Sequence, residues 1–173
     1  MAQTDRIVIR PLRSSDPHMI SAAFQALNWN KPVELYERYL VDIKCAERHA
    51  IVAYVNDEFA GYITIVWTSE YAPFRAAGIP EMKDLNVLPS FRRRGVATRL
   101  LEAMEQTAAL RTPTVGLGVG VSQDYGAAQR LYIQRGYIPD GRGVAYINRN
   151  VVYGEQVTVD DDLVLFLTKQ VAA

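Results

Sequence analysis

A single cysteine, Cys45, stands in 173 residues, so no disulfide can form within the chain. That scarcity suits a reducing compartment. Histidine is nearly as rare, with His18 and His49 alone, and no third ligand beside Cys45 and His49 completes a metal site. No apolar run approaches the roughly 18 residues of a membrane helix. The first residues lack the apolar core of a signal peptide. A cytoplasmic protein with no membrane partner is therefore expected.

An excess of either charge is also missing. Lys+Arg and Asp+Glu number 19 each, so nothing global argues for a nucleic-acid partner. Repeats, linkers and low-complexity tracts are absent, and one domain over residues 1–173 is the natural reading. The hydrophobic share of 49% supplies an ordinary globular core. The Asp160-Asp161-Asp162 run lacks the glycine and ligand spacing of a calcium loop and reads as a solvated strand start.

What the chain does have is a basic turn between a strand and a helix. Leu85-Asn86-Val87-Leu88 is apolar and extended, Arg92-Arg93-Arg94 is the sole triple arginine, and Gly95-Val96-Ala97-Thr98 opens an amphipathic helix. A helix start carries unpaired N–H groups and partial positive charge, which suits phosphate. Gly95 and Ala97 keep the backbone approachable. Local physics alone leaves a second reading open, in which the arginines are simply solvated. The segment is not a Walker loop, and Gly116-Leu117-Gly118-Val119-Gly120 lacks the spacing of the dinucleotide fingerprint.

The remaining pattern places these motifs. Strands are expected at Arg6–Leu12, His49–Val55, Phe59–Thr68, Glu81–Leu88, Thr114–Val121 and Leu163–Thr168. Shorter candidates lie at Gly136–Ile138 and Val144–Ile147. Helices follow Asp16-Pro17, Lys31-Pro32, Gly95 and Asp124, with Asp16 and Asp124 as caps. Residues 69–80 read as a loop. The order β-α-α-β-β-β-α-β-α-β-β implies an α/β (α+β) fold. Its sheet is mixed and mostly antiparallel, with one β-α-β crossover and helices on both faces. Gly116, Gly118 and Gly120 share one strand face. Either close packing or a ligand sliding along a bare face would account for them.

Arg92-Arg93-Arg94-Gly95-Val96-Ala97 satisfies Q/R-x-x-G-x-G/A, and Ala128-Gln129-Arg130-Leu131-Tyr132-Ile133-Gln134-Arg135-Gly136-Tyr137 satisfies A-x-x-L-Y-x-x-x-G-F/Y. Two motifs in this order, with this element order, resemble the GNAT acyltransferase superfamily over residues 6–169. The resemblance implies the GNAT acyl-CoA N-acyltransferase fold and acetyl-CoA as cosubstrate. It implies that Leu85, Asn86 and Val87 lie along the pantetheine arm. Arg92, Arg93, Arg94, Gly95, Val96, Ala97 and Thr98 would hold the pyrophosphate. It further implies Tyr132 as proton donor to the departing thiolate, although Tyr132 also reads as a core aromatic of an amphipathic helix. Many members carry Asn where this chain has Tyr125, so no cofactor contact is transferred there.

Glu81 and Asp84 are the carboxylates that could deprotonate an amine. Strand alternation sets them on opposite faces unless a bulge intervenes. Trp29, Tyr36, Tyr71, Phe74 and Tyr146 fall in the regions that build the acceptor pocket of this family, and aromatic walls suit an apolar or cationic acceptor. The expected activity is acetyl transfer from acetyl-CoA to a primary amine, with a small molecule ahead of a protein N-terminus or lysine. A non-catalytic acyl-CoA sensor is the rival class. A third reading gives the arginine turn to nucleic-acid phosphate, and the balanced charge opposes it. A homodimer is one of the assembly states open to such a protein.

Overall fold

The computed structural model describes residues 5–171. Two compact units emerge, and the chain passes between them more than once. The first holds the chain up to Val66 together with Asp84–Met104; the second holds Trp67–Lys83 and the chain from Glu105 onward.

In the first unit, β1 (Ile7–Pro11), β2 (Arg48–Val55) and β3 (Glu58–Val66) form an antiparallel meander. Asn56 and Asp57 both have positive φ, at 50° and 68°, as a two-residue hairpin turn of the strands' own twist requires. Helices α1 (Pro17–Gln25) and α2 (Val33–Lys44) precede β2. Pro17 occupies the first helical turn and Asp16 the N-cap position as expected, but the Asp16 side chain makes no cap hydrogen bond. Its carboxylate instead takes Arg10 through both oxygens, at 2.7 and 2.9 Å, and the Arg13 N–H at 2.7 Å. Salt bridging to β1 outcompetes the cap.

Helix α4 (Val96–Ala109) buries Val96, Leu100, Leu101, Met104 and Ala108, the face that the periodicity marks. Phe24 anchors the aromatic core of the first unit, stacked on Trp29 and edge-on to Phe59 and Tyr62.

Strand β4 (Glu81–Val87) belongs to both units. Its first residues run parallel to β5 (Thr114–Gly120), with Glu81 opposite Gly116 and Met82 opposite Leu117, as the β-α-β reading requires. Strand β8 (Leu163–Gln170) pairs antiparallel with β5 and with β6 (Ile138–Tyr146), and the short β7 (Arg149–Asn150) closes the edge. The eight strands are ordered β1-β2-β3-β4-β5-β8-β6-β7. The two short segments expected around residues 136–147 are a single strand, irregular between Pro139 and Val144.

Residues 69–80 are not all loop. A short helix, α3 (Ala72–Ala77), forms there because Phe74 and Tyr71 are buried in a cluster with Ala145 and Phe166. The Tyr71 ring stacks on Phe166 at 3.7 Å between centroids. Helix α5 (Gly126–Gln134) starts later than expected: Asp124 lies in a 3₁₀ turn, Gln123–Tyr125, and gives no cap hydrogen bond. Glu105 is buried within this unit and accepts from Arg135 at 2.6 Å, Lys169 at 2.7 Å and the Tyr137 hydroxyl at 3.0 Å.

Candidate functional site

The junction from β4 to α4 departs from a simple turn. Pro89–Phe91 form a 3₁₀ turn that buries Phe91, and then Arg92–Gly95 swing out as an exposed loop. Arg93 and Gly95 hold left-handed backbones, with φ of 58° and 81°. Open space surrounds the position a Gly95 Cβ would take, so the backbone angle is what demands glycine there. The first helical hydrogen bond runs from Arg99 N to Gly95 O at 3.0 Å.

The N–H groups of Arg93, Arg94, Gly95, Val96, Ala97 and Thr98 consequently meet no acceptor among the described residues. Six adjacent donors beside a helix N-terminus form a ready seat for a multiply charged anion.

The three arginines are not equivalent. Arg94 donates to both oxygens of Asp5, at 2.5 and 2.6 Å, and its guanidinium lies over Phe91. Arg92 donates to Val87 O at 3.2 Å and sits 5.7 Å from the Trp29 ring. Arg93 is exposed and has no ion-pair partner among the described residues. The positive potential expected of a triple arginine is thus reduced at Arg94 by a neighbouring carboxylate. Its backbone N–H stays available.

Just before this turn, Asp84 has φ +57° inside β4, the one positive-φ residue without a glycine's freedom that lies within a described helix or strand. A left-handed residue inside a strand interrupts the regular pleat at that point. Asp84 Oδ2 accepts the Tyr39 hydroxyl at 2.6 Å and lies 3.9 Å from Arg48 Nη1. Arg48 in turn donates to Asp42 at 2.9 Å and to Thr64 Oγ1 at 2.9 Å, with its guanidinium 4.3 Å from the Tyr39 ring centre. Burial, reinforced by Asp84, drives the Tyr39 phenol far above its ordinary value. Asn86 Nδ2 donates to the Asp84 carbonyl at 3.0 Å. Gly61 on β3 is needed for close approach, since a Cβ there would collide with Asn86 O.

Glu81 is buried in the second unit, where the Ser69 hydroxyl donates to its Oε2 at 2.6 Å. Ser69 Oγ also accepts the Tyr71 N–H, and Lys83 Nζ lies 4.0 Å from Glu81 Oε1. Tyr132 projects from α5, is 8% exposed, and packs edge-on to Tyr137. Its hydroxyl has no hydrogen-bond partner among the described residues, and burial raises its pKa to about 12. At neutral pH it is a proton donor and not a base.

The glycine face of β5 is not bare. A Cβ on Gly116 would enter the Phe74 ring and one on Gly120 the Tyr125 ring, while Gly118 sits against Phe166. Aromatic packing within the second unit accounts for these glycines. Tyr125 covers Gly120 and donates to Asp161 at 2.8 Å.

Of the aromatic residues expected to wall an acceptor pocket, Tyr36, Tyr71 and Phe74 are fully buried core, Trp29 stacks on Phe24, and Tyr146 is held by Asp160. No sequence signal beyond ordinary amphipathicity pointed to Tyr39 or Arg48.

Residues 18–137 match the model of the acetyltransferase (GNAT) family, well over half the chain. The chain belongs to this family and is an N-acetyltransferase, hence an acyltransferase. No sequence among curated proteins matches it. Solved structures of the same fold include an N-acetyltransferase from Staphylococcus aureus Mu50, 17% identical with a TM-score of 0.69. The match covers 96% of this chain and 99% of that one. The spermidine/spermine N-acetyltransferase of Vibrio cholerae is 16% identical with a TM-score of 0.64, over 96% and 93% of the two chains. An aminoglycoside 6′-N-acetyltransferase complexed with coenzyme A is 18% identical with a TM-score of 0.64, over 95% and 97%. The expected mixed, mostly antiparallel fold is the one these proteins share. No described helix is long and apolar enough to cross a membrane, and no cluster of metal-ligating side chains occurs among the described residues.

Proposed function

We propose that this chain works as a single cytoplasmic domain that moves the acetyl group of acetyl-CoA onto a primary amine of a small molecule. The observation that carries the reading is the row of six acceptorless N–H groups from Arg93 to Thr98, which matches a diphosphate in charge and donor number. Arg92 and Arg93 add unneutralised charge there, and the backbone of Leu85, Asn86 and Val87 lines the pantetheine arm as the family pattern implies.

Transfer is direct: the neutral amine nitrogen attacks the thioester carbonyl, the C–N bond forms, and the C–S bond breaks. The thiolate, of ordinary pKa near about 8.5, takes a proton from Tyr132. A lysine-type amine costs roughly 4–5 kcal/mol to neutralise at pH 7, so a proton acceptor matters. Glu81 and Asp84 are the two carboxylates for that role, acting directly or through water. Support for Glu81 is its burial and its hydrogen bond from Ser69; support for Asp84 is its partly exposed carboxylate on a strained backbone.

The test is thiol release from acetyl-CoA by purified protein across small amines, an N-terminal peptide and a lysine peptide. Release with small amines is the expected result. Release with peptides alone would move the acceptor to protein, and release with none would remove the reading.

A further inference from the structure

We propose that Asp84 is the anionic anchor for a positively charged acceptor amine, and that Tyr39 and Arg48 are positioning residues that aim it. The inference rests on the acetyl-transfer reading above and narrows its acceptor to aliphatic amines that arrive as cations.

Three observations converge on Asp84. First, an aspartate holds a left-handed backbone within a strand, a conformation that persists only where its surroundings enforce it. Second, its carboxylate is anchored on one side only. Oδ2 takes the Tyr39 hydroxyl at 2.6 Å and faces Arg48, whereas Oδ1 has no hydrogen-bond partner among the described residues. The side chain is 28% exposed, so the open oxygen belongs to a group that solutes can approach. Third, the charges do not balance. Asp42 and Asp84 share the single guanidinium of Arg48, leaving one formal negative charge in the cluster.

The aromatic surroundings favour the same ligand chemistry. Tyr36, Tyr39 and Tyr62 form an interlocked trio, with ring centres 5.5 to 6.5 Å apart. The Tyr36 and Tyr62 hydroxyls are each sealed with no hydrogen-bond partner among the described residues. Burial, with Asp84 adding to it, keeps both phenols protonated. An aromatic cluster whose Tyr39 hydroxyl meets the Asp84 carboxylate favours a cation over an anion there. Arg48 already occupies the Tyr39 face from one side, which leaves the free Oδ1 as the point where an N–H-bearing cation would dock.

Arg48 has a second role in this scheme. Its hydrogen bonds to Asp42 and Thr64 tie it to α2 and β3, so it braces Asp84 from a distance of 3.9 Å without neutralising it by close pairing. Tyr39 supplies the short directional bond.

The experiment is calorimetric titration of the protein, saturated with coenzyme A, with 1,4-diaminobutane and with its neutral isostere 1,4-butanediol. Wild type is expected to bind the diamine and not the diol. Asp84→Asn keeps a residue that tolerates the left-handed backbone and can still accept from Tyr39, but removes the charge. It should weaken diamine binding about tenfold or more while coenzyme A affinity stays within about twofold. Tyr39→Phe keeps the ring under Arg48 and should weaken the diamine about threefold. In turnover assays with the diamine Tyr39→Phe should raise KM while kcat falls much less. A wild type that ignores the diamine, or binds diol equally, overturns the proposal. So does an Asp84→Asn protein with unchanged diamine affinity. Failure of coenzyme A to bind at all would instead overturn the acetyl-transfer reading.

Discussion

The Phe74 ring fills the space that a side chain on Gly116 would need. A Cβ on Gly116 would lie closer than 3.0 Å to three carbons of that ring, and Phe74 is itself buried against Tyr71 and Phe166. An alanine in a strand interior ordinarily gains over glycine by about 0.5–1 kcal/mol. Here the ring cannot retreat, so overpacking wins. Gly116→Ala should lower stability by about 1–3 kcal/mol, read from the denaturant midpoint at constant slope. Gly120→Ala, which meets the half-buried Tyr125, should cost less, because that ring can swing outward.

Glu105 makes stability depend on acid. Burial alone would raise its pKa, but the hydrogen bonds and charges of Arg135 and Lys169 outweigh that and hold it below the usual carboxylate value of 4.5. A depressed folded pKa means the stabilisation is complete above about pH 4.5 and is lost as pH falls through the folded value. Unfolding free energy should therefore decline below about pH 4.5. Glu105→Gln should flatten part of that decline and cost about 3 kcal/mol at neutral pH, since it leaves two cations facing a neutral amide. Chemical denaturation of both proteins from pH 3 to pH 7 checks the slope.

Arg94 and Arg93 should differ in their effect on coenzyme A. The Arg94 charge is already met by Asp5 at 2.5 Å, whereas Arg93 has no such partner among the described residues. Arg93→Glu should weaken coenzyme A more than Arg94→Glu, and the gap should shrink as salt is raised. Equal losses would show that the turn acts only through its summed charge.

Tyr132→Phe removes a hydroxyl that has no hydrogen-bond partner among the described residues, so stability should change little. Turnover should fall by about 100-fold, the lower end for general acid catalysis, because a thiolate is already a fair leaving group. Coenzyme A affinity should stay within about twofold. With its pKa at about 12, the wild-type phenol stays protonated, so the variant's deficit should be constant from pH 6 to pH 9.

Much of the architecture is legible in the sequence. The buried stripe of α4 follows from the spacing of Val96, Leu100, Leu101, Met104 and Ala108, and the hairpin turn from Asn56-Asp57. Helix starts were the weak point. Asp16 and Asp124 look like caps in sequence, yet a long-range arginine claims the first and a 3₁₀ turn absorbs the second. Tertiary pairing outweighs a local cap of about 1 kcal/mol. Phe74 shows the same limit, since what orders α3 is burial against residues from β6 and β8, some seventy to ninety positions away in the chain.

The candidate site was legible where it is made of backbone and hidden where it is made of partnerships. Arg92-Arg93-Arg94-Gly95 marks a basic turn at a helix start in the sequence, and it is the family motif, not local physics alone, that turns it into a phosphate seat. The Tyr39–Asp84–Arg48 constellation draws on α2, β4 and β2, and no periodicity brings those three together.

Calorimetric titration of folded protein with coenzyme A tests the central claim most directly, with Gly95→Val as the control. Wild type should bind with a dissociation constant in the micromolar range, and the variant should lose binding by at least about 100-fold, because a β-branched residue is severely strained at φ 81° and would shift the backbone of the turn. Wild-type protein that gives no binding heat with millimolar coenzyme A, or a variant that binds as tightly as wild type, would contradict the account.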